Sequence, residues 1–337
     1  MKLVFFETAP WERRYLARAL KLHGWTVQFI AEPLSEDSLG TARKAAVLSV
    51  FIYSRLTRAL VHRLRGVRLI ATRSTGFDHI DLRACRRRQI AVANVPAYGE
   101  NTVAEHTFAL ILSLSRNVHK AYVRTVKGDF SLKGLQGFDL KGKTIGVVGA
   151  GRIGMHVIKM AKGFGMEVFA YDVRQDPFQS EVLDFRYASL PELLRQSDIV
   201  SLHLPYSQST HHLMNRDTFR LMKRGALLIN TARGALVDTN ALVWALDAGI
   251  VGGAGLDVLE GEELVKEERQ LLEKDFSKER LITALKNHIL LHRENVVITP
   301  HIAFDSREAL QRILDTTVAN ITGFLAGSPR NLVTSTT

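Results

Sequence analysis

The chain reads as an α/β protein made of two doubly wound parallel-sheet domains, and three observations carry that reading. Before residue 98, short apolar runs alternate with segments of helical spacing. From Lys143 to Gly154 the stretch KTIGVVGAGRIG joins a strand-like run to a glycine-rich turn that opens a helical pattern. After that turn the alternation resumes and continues past residue 299. Strands separated by helical segments predict βαβ units, with helices covering both faces of a parallel sheet.

In the first domain the strands are expected at Lys2 to Glu7, Trp25 to Ile30, Ala46 to Phe51, Arg68 to Thr72 and Ile90 to Asn94. Trp11 to Leu22 and Leu56 to Leu64 carry helical spacing between them. Two loops leave strand ends, where open α/β sheets place ligands. One is Arg73-Ser74-Thr75-Gly76-Phe77-Asp78, whose turn can offer backbone N–H groups to a carboxylate. The other is Val95-Pro96-Ala97-Tyr98-Gly99, whose proline and glycine mark the domain boundary. From spacing alone, both are equally readable as plain connectors.

Asn101 to Val126 reads as one long helix, apolar on most sides and therefore wanting burial on most sides. A polar, glycine-rich segment then leads to the strand Lys143 to Val148. Here the pattern Gly149-x-Gly151-x-x-Gly154 has a physical purpose. The first glycine permits the tight turn, the second lets a pyrophosphate approach the backbone, and the third lets helix and strand pack closely. The free N–H groups at the helix start face the phosphates. A second strand, Met166 to Tyr171, ends at Asp172, about 20 residues on, where an acid grips the adenosine ribose. Its charge argues for NAD, since it repels a 2′-phosphate, although Arg174 leaves some NADP use open. Strands follow at Asp198 to His203, Ala226 to Asn230, Gly252 to Asp257 and Val296 to Thr299. Each delivers polar residues at its carboxyl end. Glu260 to Lys286 is charged and reads as solvated helix and loop, and Arg307 to Gly327 as a final amphipathic helix that can return to the first domain.

Composition excludes several classes. A chain of 337 residues can bury two cores, and 46% hydrophobic with 23% charged residues is ordinary for a soluble globular protein. No apolar run approaches the ~20 residues that span a bilayer, so no membrane partner is expected. The N-terminal MKLVFFETAPWERR turns charged too soon for a signal peptide. The single cysteine, Cys85, excludes an intramolecular disulfide and a multi-cysteine metal site; no metal is expected, and a cytoplasmic location fits. The net charge of +11 raises nucleic acid as a partner. The basic residues read as scattered, with Arg86-Arg87-Arg88 suiting an exposed helix end, so the expectation is no nucleic acid but attraction of anionic small molecules.

Hydride transfer to a 2-keto acid needs a cation on the carboxylate and carbonyl, an acid for the developing alkoxide, and a group that keeps the acid charged. Arg233 is a fixed, bidentate cation and His301 an acid of suitable type. From spacing alone each keeps a plainer reading. Arg233 can bind pyrophosphate, His301 can be a capping or surface histidine, and Glu260 to Glu263 can be a solvated loop.

The set VGAGRIG, Tyr171-Asp172, LHLP at Leu202 to Pro205, NTARGALVD at Asn230 to Asp238, GLDVLEGE at Gly255 to Glu262 and TPHIAF at Thr299 to Phe304 resembles the D-isomer specific 2-hydroxyacid dehydrogenase family across nearly the whole chain. RSTGFDHIDL at Arg73 to Leu82, VPAYGENTVAEHTFALIL at Val95 to Leu112, the acidic insertion after Glu262 and Phe304 resemble its D-lactate dehydrogenase branch. The resemblance implies a flavodoxin-like substrate domain, residues 1–98 and 303–337, and a Rossmann NAD-binding domain, residues 99–302. It implies Arg233 as the catalytic, substrate-binding arginine, His301 as proton donor and Glu262 as its partner. Arg152 and Ile153 would lie under the pyrophosphate with Gly149, Gly151 and Gly154, and Asp172 at the ribose. Leu204, Pro205 and Thr210 would flank the adenosine. Thr231, Ala232 and Asp257 would lie near the nicotinamide, with Asp257 able to bond its carboxamide. Thr75, Gly76, Tyr98 and Phe304 would contact substrate. It further implies a homodimer, with the Asn101 to Val126 region in the interface. The implied reaction is reversible reduction of a 2-keto acid, pyruvate first, to the D-2-hydroxy acid. One departure is Gly99, where the branch usually carries serine; it loosens that loop. Rivals are a glyoxylate, hydroxypyruvate or longer-chain 2-keto acid reductase and, from another class, an NAD-sensing corepressor or scaffold.

Overall fold

The computed structural model describes residues 1–261 and 278–333. The chain forms two compact units, Met1–Gly99 with Ser306–Thr337, and Glu100–Asp305.

In the first unit, β1 (Lys2–Phe5), β2 (Thr26–Phe29), β3 (Val47–Val50), β4 (Leu69–Thr72) and β5 (Ala91–Ala93) form a parallel sheet of order β2-β1-β3-β4-β5. This is the flavodoxin-like order. Strand alternation sorts the side chains between two cores. Val4, Leu48, Ile70 and Val92 face one layer with Leu60, Val61 and Ala84. Leu3, Phe5, Val47 and Leu69 face the other, against Leu16 and Leu20 of the helix Pro10–Leu20 and Leu314 and Ile321 of the helix Arg307–Leu325. The last helix of the chain thus completes the core of the first unit.

In the second unit, β6 (Thr144–Val148), β7 (Glu167–Tyr171), β8 (Arg186–Tyr187), β9 (Ile199–Leu202), β10 (Ala226–Asn230), β11 (Val251–Leu256) and β12 (Val296–Ile298) form a parallel sheet of order β12-β11-β10-β9-β6-β7-β8. The chain winds one way from β6 through β7 to β8, then returns and winds the other way from β9. The reversal beside β6 is the point where such sheets hold a ligand outside their carboxyl ends.

The long helix expected over Asn101 to Val126 is two helices, Glu100–Ser115 and Val118–Val126. Asn117 breaks it with φ of 51°, a left-handed conformation that asparagine tolerates, and its amide donates to the Gln136 carbonyl at 3.1 Å. The first half is buried through Val103, Phe108, Leu110 and Ile111, as its apolar composition demands. The second half buries no residue. Of the charged segment Glu260 to Lys286, residues 262–277 lie outside the described residues; beyond them is the helix Lys278–Leu291. Among the described residues, no helix is long and apolar enough to cross a membrane.

Candidate active site

The carboxyl edge of the seven-stranded sheet gathers most of the residues singled out from the sequence. Taken in strand order, that edge carries His301 after β12, Asp257 after β11, Arg233 after β10 and Leu204 after β9. The glycine turn after β6 and Asp172 after β7 complete it. Residues far apart in sequence are brought into one row because parallel strands all end on the same side.

The glycine turn fits a dinucleotide. Gly149 has φ of 101°, which strains any side chain, and an added Cβ would lie 2.8 Å from the His203 backbone. At Gly154 a Cβ would fall 2.0 Å from the Gly149 carbonyl oxygen, so helix and turn pack without room for a methyl. Gly151 is different: a Cβ there would meet nothing within 4 Å. Its missing side chain keeps an open approach to the backbone rather than serving the fold. Gly151 precedes the helix Arg152–Gly163, whose first residues, Arg152 and Ile153, stand at its amino end. Arg152 is exposed and pairs with Glu100 at 3.5 Å. Asp172 accepts from the Ala150 N–H at 2.8 Å and the Arg174 N–H at 2.9 Å, which ties the end of β7 to the glycine turn. Leu204 and Pro205 follow β9, and Thr210 closes their loop by donating to the Pro205 carbonyl at 2.9 Å. Beside them His203 bonds Ser201 at 2.8 Å, and burial pushes its imidazole down to about 3, so it is neutral.

Arg233 sits in a tightly specified turn. The Asn230 side chain donates to the Arg233 carbonyl at 2.9 Å and accepts from the Ala232 N–H at 3.0 Å. The guanidinium itself donates to the Ala232 carbonyl at 2.7 Å. Thr231, buried, shares a 3.0 Å hydrogen bond with Thr107 of the helix Glu100–Ser115.

Asp257 is fully buried and organises the loop that carries His301. Its carboxylate accepts from the Thr299 hydroxyl and from the backbone N–H groups of Ile302 and Ala303, each of these two at 2.9 Å. His106 Nε2 lies 3.4 Å from it and 3.0 Å from the Thr299 hydroxyl. Burial pushes this carboxyl up more than any other single influence. The hydrogen bonds from His106, Thr299, Ala303 and Ile302 together outweigh it, and the group is held below its ordinary value as a carboxylate. Most of these donors converge on Oδ1, while Oδ2 accepts from the Ala303 N–H. His301 takes φ of 59°, with its N–H donating to the carbonyls of Asp257 and Thr299 at 2.9 Å each. A non-glycine residue in this region persists only where its surroundings over-determine it. The Phe304 ring stands edge-on to the imidazole at 6.4 Å.

Glu262, the expected partner of His301, lies outside the described residues. Thr75, Gly76 and Tyr98 belong to the first unit, at the carboxyl edge of its own sheet. Thr75 donates to the Val95 carbonyl at 2.8 Å, and the Asn94 amide donates to the Thr75 carbonyl at 2.8 Å, so the two loops are laced together. Tyr98 is held through its carbonyl by Arg312. Arg73, which opens the first loop, is a scaffold residue. It is fully buried, donates to the carbonyls of Phe6 and Glu7 at 2.8 and 2.7 Å, and burial lowers its affinity for its proton.

Sequence reasoning passed over His106, His212 and Glu260. The signal for His106 was a histidine placed just before the apolar run Phe108 to Leu112 of its helix. For Glu260 it was the acid within GLDVLEGE that the catalytic reading left unused.

Comparison with known proteins fits this arrangement. Residues 108–303 match the family model described as D-isomer specific 2-hydroxyacid dehydrogenase, NAD binding domain. The chain is 36% identical over 340 residues to a D-lactate dehydrogenase of Escherichia coli, covering 99% of this chain and 100% of that one. It is 34% identical to an aromatic 2-oxoacid reductase of Clostridium sporogenes, covering 98% of each. A solved D-lactate dehydrogenase of Aquifex aeolicus, complexed with NAD and lactic acid, is 38% identical, with a TM-score of 0.87 over 97% of this chain and 96% of that one. A row of dinucleotide-fitting glycines, an acid at the next strand end, and a buried carboxylate holding a histidine loop are thus found in a chain similar to these proteins along almost its full length. It belongs to the D-isomer specific 2-hydroxyacid dehydrogenase family and is an NAD-dependent enzyme of that family.

Proposed function

We propose that the enzyme reduces pyruvate to D-lactate, reversibly, with NADH as donor. The observation that carries the reading is the buried Asp257 carboxylate, which fixes the left-handed His301 loop two strands away from the Arg233 turn. NAD supplies the hydride acceptor and donor when bound. Arg233 binds the substrate carboxylate and polarises its carbonyl, because a guanidinium offers paired donors in a fixed plane. His301 protonates the carbonyl oxygen as charge develops there, and Glu262 favours its charged form. Asp257 and His106 hold the loop from which His301 projects. Thr231 and Ala232 lie near the nicotinamide. Asp172 binds the adenosine ribose, while Leu204, Pro205 and Thr210 flank the adenosine. The backbone N–H groups of Thr75 and Gly76 meet the substrate carboxylate, and Tyr98 and Phe304 its side chain.

The enzyme acts as a homodimer in this reading. Support comes from Val118–Val126 and the segment after it, where Tyr122, Val126, Phe130 and Leu132 are 70%, 69%, 77% and 84% exposed. A cytoplasmic location rests on the single, buried Cys85, whose thiol burial pushes up to about 11 and out of easy reactivity.

A second reading, a reductase of larger 2-keto acids, draws on the aromatic 2-oxoacid reductase relative and on Gly99 in the substrate loop. Initial rates across pyruvate, glyoxylate, hydroxypyruvate, 2-ketoisocaproate and phenylpyruvate, with NADH and NADPH in parallel, separate the two. The proposal expects the highest kcat/KM with pyruvate and NADH; a clear preference for phenylpyruvate or 2-ketoisocaproate replaces it with the second reading. Tight NADH binding without turnover of any of them would favour the corepressor class.

A further inference from the structure

The segment Leu259–Glu260 is wedged against the backbone of the Arg233 turn. A Cβ at Gly234 would lie 2.1 Å from the carbonyl carbon and oxygen of Leu259 and 2.5 Å from the Glu260 nitrogen, so the two strands of backbone touch with nothing between them. Glu260 is anchored there by several bonds at once. Its Oε1 accepts from His212 Nε2 at 2.6 Å, and its Oε2 accepts from the Thr239 hydroxyl at 2.9 Å and the Thr239 N–H at 3.3 Å. Its carbonyl accepts from the Asn287 amide at 2.8 Å. An acid placed in a merely solvated loop would not gather four donors from three separate elements.

His212 holds the same turn through its backbone. Its own N–H donates to the Ala235 carbonyl at 2.9 Å, two residues after Arg233. The Met214 N–H then donates to the Leu236 carbonyl at 2.9 Å. His212 holds φ of 48°, and its ring stacks on His211 at 3.8 Å. The Arg233-Gly234-Ala235 turn is therefore held twice, by Leu259–Glu260 packed on Gly234 and by the His212 N–H on the Ala235 carbonyl. The His212–Glu260 side-chain bond links the two holds.

We propose that His212 and Glu260 are positioning residues for Arg233. They fix the turn so that the guanidinium keeps one orientation toward the carboxylate and carbonyl of a 2-keto acid. The proposal rests on the reading of Arg233 as the substrate cation. These bonds run to the Arg233 turn and the Thr239 helix start rather than to the glycine turn or Asp172, so keto-acid binding is expected to suffer more than NADH binding. A displacement of about 1 Å at such a group costs on the order of 10²-fold in rate.

The test compares Glu260→Ala, Glu260→Gln and His212→Ala with Arg233→Ala as the reference. The readouts are KM for pyruvate, kcat, oxamate affinity in the presence of NADH, and NADH affinity alone. The alanine variants are expected to raise KM for pyruvate and weaken oxamate by about 10- to 100-fold, with NADH affinity near parental. Glu260→Gln, which keeps acceptors for Thr239 and His212, is expected to recover most of the loss. Parental keto-acid kinetics in the alanine variants beside a crippled Arg233→Ala would overturn the positioning role alone. So would NADH and oxamate affinities falling together, which is the mark of general damage. If Arg233→Ala itself binds oxamate normally, the assignment of Arg233 fails first. Should Glu260→Ala not fold, Thr239→Val with His212→Ala carries the test, since each removes one bond to Glu260, and parental kinetics in both overturns it.

Discussion

Asp257 is the buried side chain that holds the His301 loop together. It is a buried carboxylate kept charged by donors from the His301 loop and from His106, so its removal orphans them in the interior. Asp257→Asn keeps the shape but points an N–H at one of those donors. Each buried group left unsatisfied costs about 1–3 kcal/mol, so the variant should lose roughly 2–4 kcal/mol in denaturant unfolding. Its kcat should fall toward the ~10²-fold loss typical of a misplaced acid, with NADH affinity little changed. The opposite split, weak NADH and intact kcat, would place Asp257 on the cofactor. His203 gives a pH signature. Its folded value of about 3 lies below the ordinary 6.5, so between those values the unfolded chain binds a proton that the folded chain refuses. Stability from this group is complete above pH 6.5 and drains away as the pH falls toward about 3. The ring keeps some solvent access, so the loss is on the order of 2 kcal/mol rather than the full shift. His203→Gln should flatten the fall in unfolding free energy between pH 6.5 and 4; an unchanged slope would show that His203 is not the group titrating.

At the scale of elements, the glycine turn separates folding from binding. Gly154→Ala should lower the melting temperature, because its methyl would stand 2.0 Å from a carbonyl oxygen. Gly151→Val meets open space, so it should melt near the parental temperature yet weaken NADH severalfold or more by blocking the approach to the backbone. A Gly151→Val protein with parental NADH affinity would remove the turn from the cofactor site. The helix Val118–Val126 makes a second prediction. Tyr122→Glu with Val126→Glu should convert a dimer to a monomer in sedimentation, since charges would be desolvated on an apolar contact; an unchanged mass would place the interface elsewhere. These elements also show what could be read before the structure. The strands other than the two-residue edge strand Arg186–Tyr187, and the glycine turn, were legible because buried parallel strands are continuous apolar runs and each glycine has a local reason. Arg233, Asp257 and His301 stood out as polar residues at strand ends, but their proposed roles came from the family resemblance rather than from spacing. The break at Asn117 was not, because it depends on a single left-handed residue inside an unbroken apolar pattern. Nor were His106 and Glu260, whose partners Thr299 and His212 lie 193 and 48 residues away and meet them only once the sheet is assembled.

For the molecule as a whole, sequence order and spatial order differ in the way that makes the site. In each sheet the chain starts near the middle and winds outward both ways, so loops distant in sequence finish on one edge. In the second unit that edge carries the dinucleotide turn at its centre, with Arg233, Asp257 and His301 toward the β12 side. The proposed function requires this row to reduce pyruvate to the D-hydroxy acid. The direct measurement is to run the purified enzyme to completion on pyruvate with NADH and resolve the product by chiral chromatography. D-lactate is expected as the single enantiomer, formed in step with NADH oxidation. L-lactate, a racemate, or no lactate from an enzyme that oxidises NADH with another keto acid would contradict the proposed function.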